Sequence, residues 1–357
     1  MASATQTAKT RLFIISDTHS SSNGRDIAPE RSFCPPFPKA DVLIHSGDLT
    51  MTGTVDENKA ALRLLASIPA ELKLVIAGNH DLTMDKAYYL EENSRAKYID
   101  LRNYNPENAE IVEQLWLGDA AKEAGVTYLR EGMHSFDLSN GAHFTVYSSE
   151  WQPEFFNWAF NYSHNEDRWN PPEIISQAPY PKDSSQKIIP ATRDPHPIPL
   201  GADVDIIMTH GPPFMHGDRC LPGGIRAGCP QLLQALDRVR PKIHCFGHIH
   251  EAWGAERVTW RETPHDPTHP EWQSGENPLG EQSEVLATLD SDTLEIQAPD
   301  DASVIKAHAA TLDVSSSSRK PLQVGKETLL INSSIMTGSG YRPKQAGFLV
   351  DIDLPMK

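Results

Sequence analysis

Five clusters of aspartate, asparagine and histidine residues are the most informative feature of this chain. Each cluster directly follows a short apolar run, and the five are Asp17-Thr18-His19, Gly47-Asp48, Gly78-Asn79-His80-Asp81, Thr209-His210-Gly211 and Gly247-His248-Ile249-His250. Carboxylate, amide and imidazole groups suit Mn, Fe or Zn better than a soft thiolate site would. The residue types therefore predict a metal-dependent enzyme rather than a passive binder.

One carboxylate of these clusters, Asp48, is expected to bridge two divalent ions with its two oxygens. The other candidate ligands divide into Asp17, His19 and His250 for the first ion and Asn79, His210 and His248 for the second. Two ions about 3.5–4 Å apart can clamp a phosphoryl group and hold a bridging hydroxide. Because metals lower the pKa of water toward neutrality, we expect this hydroxide to be the nucleophile.

His80 is the candidate general acid, because it follows Asn79 directly and should point into the same site. It would protonate the leaving oxygen, and Asp81 is a candidate to hold its ring. Any single cluster also has an ordinary explanation, since Asp and Asn build turns and alternating histidines occur on edge strands. Five clusters that each end a predicted strand argue against that explanation.

The apolar runs before the clusters are predicted to be buried strands, because they are short, β-branched and bounded by glycine. Ligands bind outside the carboxyl ends of strands in open α/β sheets, so one sheet could present all five clusters along one edge. A helix with Asp56 as its N-cap is predicted over 56–67 and completes a βαβ unit. Two more helices are predicted over 106–125 and 230–240, and Asn140-Gly141 indicates a β-hairpin.

The domain organisation is predicted to be simple. A polar N-terminal tail at 1–10 precedes a single α/β domain at 11–357. Two segments rich in proline and serine, at about 171–201 and about 260–324, are predicted to be surface insertions.

The charge and hydropathy of the chain limit the classes of partner that it is expected to bind. The formal net charge is −16, which disfavours a nucleic-acid duplex or an anionic membrane but not a small phosphate compound held by metals. No apolar stretch reaches the roughly 18 residues of a membrane span, and the first ten residues do not resemble a secretory signal. Four cysteines without such a signal indicate reduced thiols, so we expect a cytoplasmic protein.

The five clusters, in this order and spacing, resemble the five motifs of the calcineurin-like metallophosphoesterases. Flanking residues are similar to those of the metallophosphoesterase-domain-containing phosphodiesterases, namely Thr209 to Pro213 with Gly217-Asp218, Gly247 to Glu251, and Trp151 to Phe160. The resemblance covers about residues 11–254 and 328–354 and fails in the two insertions. It implies a four-layer α/β/β/α sandwich, two metal ions and phosphoester hydrolysis, with 2′,3′-cyclic nucleotides among the candidate substrates.

Two details of the motifs refine this expectation. Some animal members of the resembled group carry glycine where this chain has His248, so its presence implies a complete binuclear site. The Asp-Arg-Gly of related protein phosphatases is missing after Gly47-Asp48, which argues against a protein substrate. We therefore favour a phosphodiesterase acting on a small phosphoester. The alternatives are a phosphomonoesterase and a nucleotide-binding scaffold with weak activity.

Other conspicuous residues have less decided roles. His45 and His244 lie inside apolar runs and are expected to be core histidines with satisfied ring nitrogens. The loop after the fourth cluster either shapes a substrate pocket or is solvated; its notable residues are His216, Asp218 and Arg226. An aromatic run either packs in the core, which we favour, or forms a wall against a nucleobase; it comprises Trp151, Phe155, Phe156, Trp158 and Phe160.

Overall fold

The computed structural model describes residues 6–19, 33–91, 104–175, 187–221, 223–262, 283–289, 296–297, 309–337 and 345–357. Its strands are β1 (Thr7–Ile15), β2 (Ala40–Ser46), β3 (Ala70–Ile76), β4 (Val126–Tyr128), β5 (Gly132–Asp137), β6 (His143–Ser149), β7 (Gln152–Pro153), β8 (Asn161–Tyr162), β9 (Glu166–Asp167), β10 (Ile189–Pro190), β11 (Ile206–Thr209), β12 (Arg219–Cys220), β13 (Ile225–Arg226), β14 (Ile243–Phe246), β15 (Gly254–Thr259), β16 (Ser283–Leu289), β17 (Ile296–Gln297), β18 (Ala309–Asp313), β19 (Glu327–Asn332) and β20 (Gly347–Pro355).

The helices are α1 (Val55–Ala66), α2 (Lys86–Leu90), α3 (Glu107–Leu117), α4 (Asp119–Glu123), α5 (Pro172–Ile175) and α6 (Pro230–Val239), with a 3₁₀ turn at His250–Ala252. None of the helices in the described ranges is both long enough and apolar enough to cross a membrane.

Two large sheets form the centre of the fold. The first has the strand order β18-β20-β1-β2-β3-β4, and the second has the order β17-β16-β15-β19-β14-β11-β6-β5. Strands β1 to β4 run parallel, as do β6, β11, β14 and β19. The predicted hairpin at Asn140-Gly141 is confirmed, because β5 and β6 pair antiparallel on either side of it.

Alternate residues of the strands face different layers, as the pleat of a strand requires. Between the sheets, Ile14 and Ile44 of the first share one buried cluster with Met208 of the second. The opposite face of the first sheet packs on α1 and α3, and the opposite face of the second packs on α6. The predicted α/β/β/α sandwich is thereby confirmed.

The strand ends explain how distant segments of the chain meet. Parallel strands β1, β2 and β3 end just before Asp17, Asp48 and Asn79. In the second sheet, β11 and β14 end just before His210 and His248. The carboxyl ends of all five strands therefore carry the five clusters, which come from two facing sheets rather than from the one sheet expected.

The boundaries of the predicted tail and insertions need correction. Strand β1 begins at Thr7 and pairs with β20, so residues 7–10 belong to the first sheet. The segment 260–324 contributes β16 to the second sheet and β18 to the first, so it is more than a surface insertion. In the segment 171–201, β10 pairs with β9. Residues 1–5, 176–186, 263–282, 290–295 and 298–308 of these segments lie outside the described ranges.

Two helix predictions also need correction. The N-cap of α1 is Thr54 and not Asp56, because the Thr54 hydroxyl accepts the backbone N–H of Glu57 at 3.2 Å. The Glu57 carboxylate in turn accepts the Thr54 N–H at 3.0 Å, which completes a capping box. The helix predicted over 106–125 is divided into α3 and α4 by Gly118, whose backbone is extended.

We expect Thr54→Ala to lower the free energy of unfolding by about 1 kcal/mol, because it leaves the Glu57 amide without its cap. Chemical denaturation of the two proteins measures the difference. Lys59→Ala, at an exposed position inside the same helix, should leave stability within about 0.5 kcal/mol. Equal stability of Thr54→Ala and the unmodified protein would contradict the capping role.

Candidate metal centre

Eight of the nine predicted site residues meet around a shared centre. The ligand atoms of seven of them form three overlapping groups, and within each group the atoms lie within 4.8 Å of one another. The groups are Asp17 with His19 and His250, His19 with Asp48 and His80, and Asp48 with His210 and His248. Asn79 joins the third group, since its Oδ1 lies 2.9 Å from Nε2 of His210. The ninth residue, Asp81, points elsewhere.

The carboxylate of Asp48 lies between the two sets of candidate ligands. Its Oδ2 is 3.6 Å from Nε2 of His19, and its Oδ1 is 3.4 Å from Nε2 of His210. Oδ1 also accepts the backbone N–H of His80 at 2.8 Å, which fixes the carboxylate plane. Each oxygen of Asp48 therefore faces a different imidazole.

Four of these residues have a backbone conformation that L-amino acids rarely adopt. The φ angles of Asp17, His19, Asp48 and His248 are 54°, 42°, 55° and 68°. Such left-handed residues cost of order 1–3 kcal/mol each and cluster at functional sites. The turns after β1, β2 and β14 use this conformation to direct side chains back toward the centre.

Two glycines permit the close approach of these turns. A Cβ at Gly247 would collide with the Asp17 carboxylate and the Ser16 hydroxyl. A Cβ at Gly78 would collide with Oδ1 of Asp48 and, at 2.6 Å, with Cε1 of His210. A residue with a side chain would therefore not fit at Gly78 in the third cluster or at Gly247 in the fifth.

Backbone carbonyls orient four of the imidazoles. The Nδ1 atoms of His19, His80, His210 and His250 lie 3.0, 2.9, 2.9 and 3.3 Å from the carbonyls of Thr50, Met51, Ser46 and Thr337. A carbonyl only accepts hydrogen bonds, so each Nδ1 must carry its proton. In the neutral tautomer every Nε2 then presents a lone pair to the centre.

These lone pairs lie so close to one another and to other acceptor atoms that a positive charge between them would be stabilising. The Nε2 atoms of His19 and His250 are 3.4 Å apart, and Nε2 of His210 lies 2.9 Å from an amide oxygen of Asn79. The Nδ2 of Asn79 is buried without a hydrogen-bond partner among the described residues. Adjacent acceptors repel unless a cation or a proton lies between them, so this donor set fits divalent metal ions.

The pKa shifts of the site residues are consistent with a site that binds cations. Burial and the neighbouring charge of His80 lower the pKa of His19 to about 3, which keeps its imidazole neutral. Burial alone would lower the pKa of His210, but the charge of Asp48 and the hydrogen bond with it raise it to about 9. Burial favours the neutral form of Asp48 itself, yet the charges of His210 and His80 and the hydrogen bond with His210 hold that pKa well below its usual value. The ionised Asp48 carboxylate thus attracts a cation.

The predicted role of Asp81 as the residue that holds the His80 ring is wrong. Its carboxylate accepts backbone N–H groups of Leu49, Thr50 and Gly78 at 2.8–3.1 Å, together with the Thr50 hydroxyl at 2.7 Å. The carbonyl of Met51 contacts Nδ1 of His80 instead. Asp81 therefore fixes the loop that follows Asp48, and it acts on His80 only through that loop.

The aromatic run divides between the core and the site. Trp151 and Phe160 are buried, as we favoured, whereas Phe155 and Phe156 are 43% and 62% exposed. The half-buried Trp158 ring lies 4.1 Å from the His80 ring, and Phe155 lies edge-on to His248 at 5.5 Å. Three of the five aromatic residues therefore lie at the rim of the centre.

The core histidines behave largely as predicted. His45 is fully buried, with Nε2 at 3.0 Å from the Thr18 hydroxyl and Nδ1 accepting the Gly47 N–H. His244 has the Thr209 hydroxyl at 2.8 Å from Nε2, but its Nδ1 has no partner in the described structure.

The loop after the fourth cluster is not solvated at its main residues. His216 is buried and contacts the Glu256 carboxylate at 2.9 Å. Asp218 is also buried, and it pairs with Arg226 at 2.6 Å. Asp218 and Arg226 line a cavity of about 290 Å³, which supports the pocket interpretation for this pair.

Sequence reasoning missed the residues that support the ligands from behind. The Ser334 hydroxyl donates to Oδ2 of Asp17 at 2.7 Å, and the Thr337 carbonyl orients His250. Both follow β19, whose pairing with β14 brings them to the centre. Serine and threonine after a strand are too common to single out, so only the three-dimensional register identifies them.

We expect Ser334→Ala to weaken divalent metal binding by about 10- to 100-fold, because Asp17 loses the hydrogen bond that orients it. Calorimetric titration of the metal-free protein with Mn²⁺ measures this change. Ser333→Ala is the matched control, since the Ser333 hydroxyl contacts only the Phe246 carbonyl among described residues. Equal metal affinity of both variants would contradict the supporting role.

Comparison with known proteins agrees with this geometry. The family model described as calcineurin-like phosphoesterase matches residues 10–252. The human metallophosphoesterase domain-containing protein 1 is 33% identical over 251 residues, which cover 69% of this chain and 62% of that protein. The UPF0046 protein T07D4.2 of Caenorhabditis elegans is 34% identical over 226 residues, which cover 61% and 48%. The chain thus spans less than two thirds of the length of these relatives.

Among solved structures, the phosphopantetheinyl hydrolase PptH from Mycobacterium tuberculosis is 16% identical, with a TM-score of 0.38 over 71% of this chain and 86% of that chain. The sequence relationship is the stronger finding, because the family model alone covers more than half of the residues. This chain belongs to the calcineurin-like phosphoesterase family.

Proposed function

We propose that this protein is a metal-dependent phosphodiesterase acting on small phosphoesters. The observation that carries the proposal is the convergence of eight Asp, Asn and His side chains at the ends of five strands, with both oxygens of Asp48 facing different imidazoles. Family membership and the name of the human relative, which refers to a metallophosphoesterase domain, support the same class of reaction.

Two divalent ions would be held by the residues already grouped around Asp48. Asp17, His19 and His250 would bind the first, Asn79, His210 and His248 would bind the second, and Asp48 would contact both. When bound, such ions supply positive charge for the phosphoryl oxygens and lower the pKa of water. The Nδ1 contacts with backbone carbonyls hold the imidazoles ready for this role.

His80 is proposed to deliver a proton to the leaving oxygen. The Met51 carbonyl holds Nδ1 of His80, so the ring directs Nε2 to the centre. When it carries a proton, Nε2 could donate it to the leaving oxygen. Trp158 packs against the ring and limits its rotation.

The exposed aromatic rim favours a diester over a monoester. Phe155 lies beside His248 and contacts Phe156, and the two rings offer apolar surface next to the site. A phosphomonoester has one organic substituent, whereas a diester has a second one that such a surface can bind. In 2′,3′-cyclic nucleotides both ester oxygens belong to one ribose, whose planar base would lie on this rim, so these diesters are the first natural class to test.

Two alternatives predict different behaviour. A phosphomonoesterase would use the same donor set but gain nothing from the rim. A nucleotide-binding scaffold would bind nucleotide with little turnover, and the complete set of candidate ligands argues against it.

The Mn²⁺-loaded protein is expected to hydrolyse bis(p-nitrophenyl) phosphate with a kcat/KM at least about tenfold above that for p-nitrophenyl phosphate. Asp48→Ala should lose both ions and about a thousandfold or more in rate, because both sets of ligands share this carboxylate. Initial rates and bound metal content measure these effects. A preference for the monoester would favour the phosphomonoesterase, and nucleotide binding without turnover of any ester would favour the scaffold.

His80→Gln should slow hydrolysis of methyl phenyl phosphate by about 10²- to 10⁴-fold and that of methyl p-nitrophenyl phosphate much less, because nitrophenolate leaves without a proton. Comparison of kcat for the two diesters measures the difference. The exposed His164→Gln is the control and should leave both rates unchanged. An equal loss on both substrates would rule out proton donation by His80.

A further inference from the structure

A cavity of about 200 Å³ lies outside the metal centre, between helix α3, the start of α2 and the ends of β4 and β6. The engineered cavity that binds benzene measures about 150 Å³, so this cavity can hold a molecule of roughly six to eight non-hydrogen atoms. None of the candidate metal ligands lines it. We call it the Glu150 cavity after its most unusual residue.

The carboxyl group of Glu150 forms no ion pair with the described residues, and the charge of Arg168 acts on it only from farther away. The residue is 6% exposed, and its Oε2 lacks a hydrogen-bond partner in the described part of the chain. The hydrogen bond recorded for this carboxyl comes from the backbone N–H of Glu150 itself. Buried carboxyl groups are nearly always paired, because an unpaired one loses its hydration without compensation. A hydrogen-bond donor or a cation placed against this carboxyl would therefore stabilise it.

The other charged residues of the cavity are already paired. Asp85 accepts both guanidinium nitrogens of Arg193, at 2.7 and 3.2 Å. Glu113 pairs with Arg130 and, at 3.3 Å, with Lys86. Lys86 is also held by Glu110, at 2.6 Å. The cations among the described residues that line the cavity are therefore paired with other carboxylates, and Glu150 is left unpaired.

Aromatic rings form much of the remaining wall. Trp116, Tyr128 and Phe160 line the cavity, and the indole N–H of Trp116 is already bonded to Asn58 at 2.8 Å. Aromatic faces attract organic cations more strongly than neutral molecules. A carboxyl group beside aromatic walls is a combination that recognises an ammonium group on a short apolar body.

We propose that the Glu150 cavity binds a small organic ammonium ion, with the Glu150 carboxylate as its counter-ion and the rings of Trp116, Tyr128 and Phe160 as its walls. The proposal is independent of the phosphodiesterase activity, because the cavity shares no residue with the metal centre. It assigns a second ligand, of a different chemical class, to the same protein.

The state of Glu150 without a ligand agrees with this assignment. Burial, opposed by its own backbone N–H and supported by the nearby charge of Glu131, raises the pKa of Glu150 to about 8. The carboxyl group is then largely protonated at neutral pH. A bound ammonium ion would restore the carboxylate and release that proton, so binding is best measured near pH 8.

Isothermal titration of the Mn²⁺-loaded full chain with benzylammonium chloride, at constant ionic strength and without phosphoester, tests the proposal. We expect saturable millimolar or tighter binding of one equivalent. Benzyl alcohol, which has the same shape without the charge, should bind at least about tenfold more weakly. Glu150→Gln should weaken benzylammonium binding by about tenfold or more and leave benzyl alcohol within about twofold.

Three further measurements make the result decisive. Glu123→Gln removes an exposed carboxylate from α4 and should leave the affinity for benzylammonium unchanged. Ala109→Leu fills the cavity and should abolish binding of both ligands, which tests the site should Glu150→Gln fail to fold. Unchanged melting temperature of the variants shows that the fold is retained. Absence of saturable binding, or equal affinity in the unmodified protein, Glu150→Gln and Ala109→Leu, would overturn the proposal.

Discussion

The metal centre depends on hydrogen bonds between backbone carbonyls and the Nδ1 atoms of its histidines. Two adjacent carbonyls, those of Thr50 and Met51, orient His19 and His80, which belong to different clusters. The loop that carries these carbonyls is held in turn by the Asp81 carboxylate through the N–H groups of Leu49 and Thr50. One buried carboxylate that touches no ligand atom thereby sets the direction of two imidazoles, and the tautomers of both follow from it.

This arrangement requires a rigid frame, because its turns are strained. Asp17 and Asp48 both have left-handed backbones, and the Asp17 carboxylate fits only because residue 247 is glycine. Strain of this kind persists where surrounding structure over-determines the conformation. The frame is the layer of apolar side chains between the two sheets, which holds the carboxyl ends of β1, β2, β11 and β14 in register. The fold thus stabilises a set of turns that would relax in isolation.

The sequence contained enough information for the sandwich fold and for the meeting of the five clusters, because strand patterns and their terminal residues are local signals. It contained less information about the residues that orient the candidate ligands from behind. Ser334 reaches Asp17 only through the register of β19 beside β14, which no local pattern encodes. Asp81 was placed correctly in its cluster but given the wrong partner, since adjacency to His80 in sequence does not fix the direction of a side chain. Strand β18 was hidden for the same reason, as its pairing partner β20 is distant in the chain.

A short segment of the chain connects the metal centre to the Glu150 cavity. It begins at Asn79, is anchored in its middle by Asp81, and ends at Asp85, which lines the cavity and caps α2 by accepting the Tyr88 N–H. The Asp85 carboxylate also accepts the N–H of Phe160, so the segment is bonded at both ends and in its middle. The segment therefore serves as a common support, since the same backbone positions Asn79 at the centre and Asp85 in the wall of the cavity.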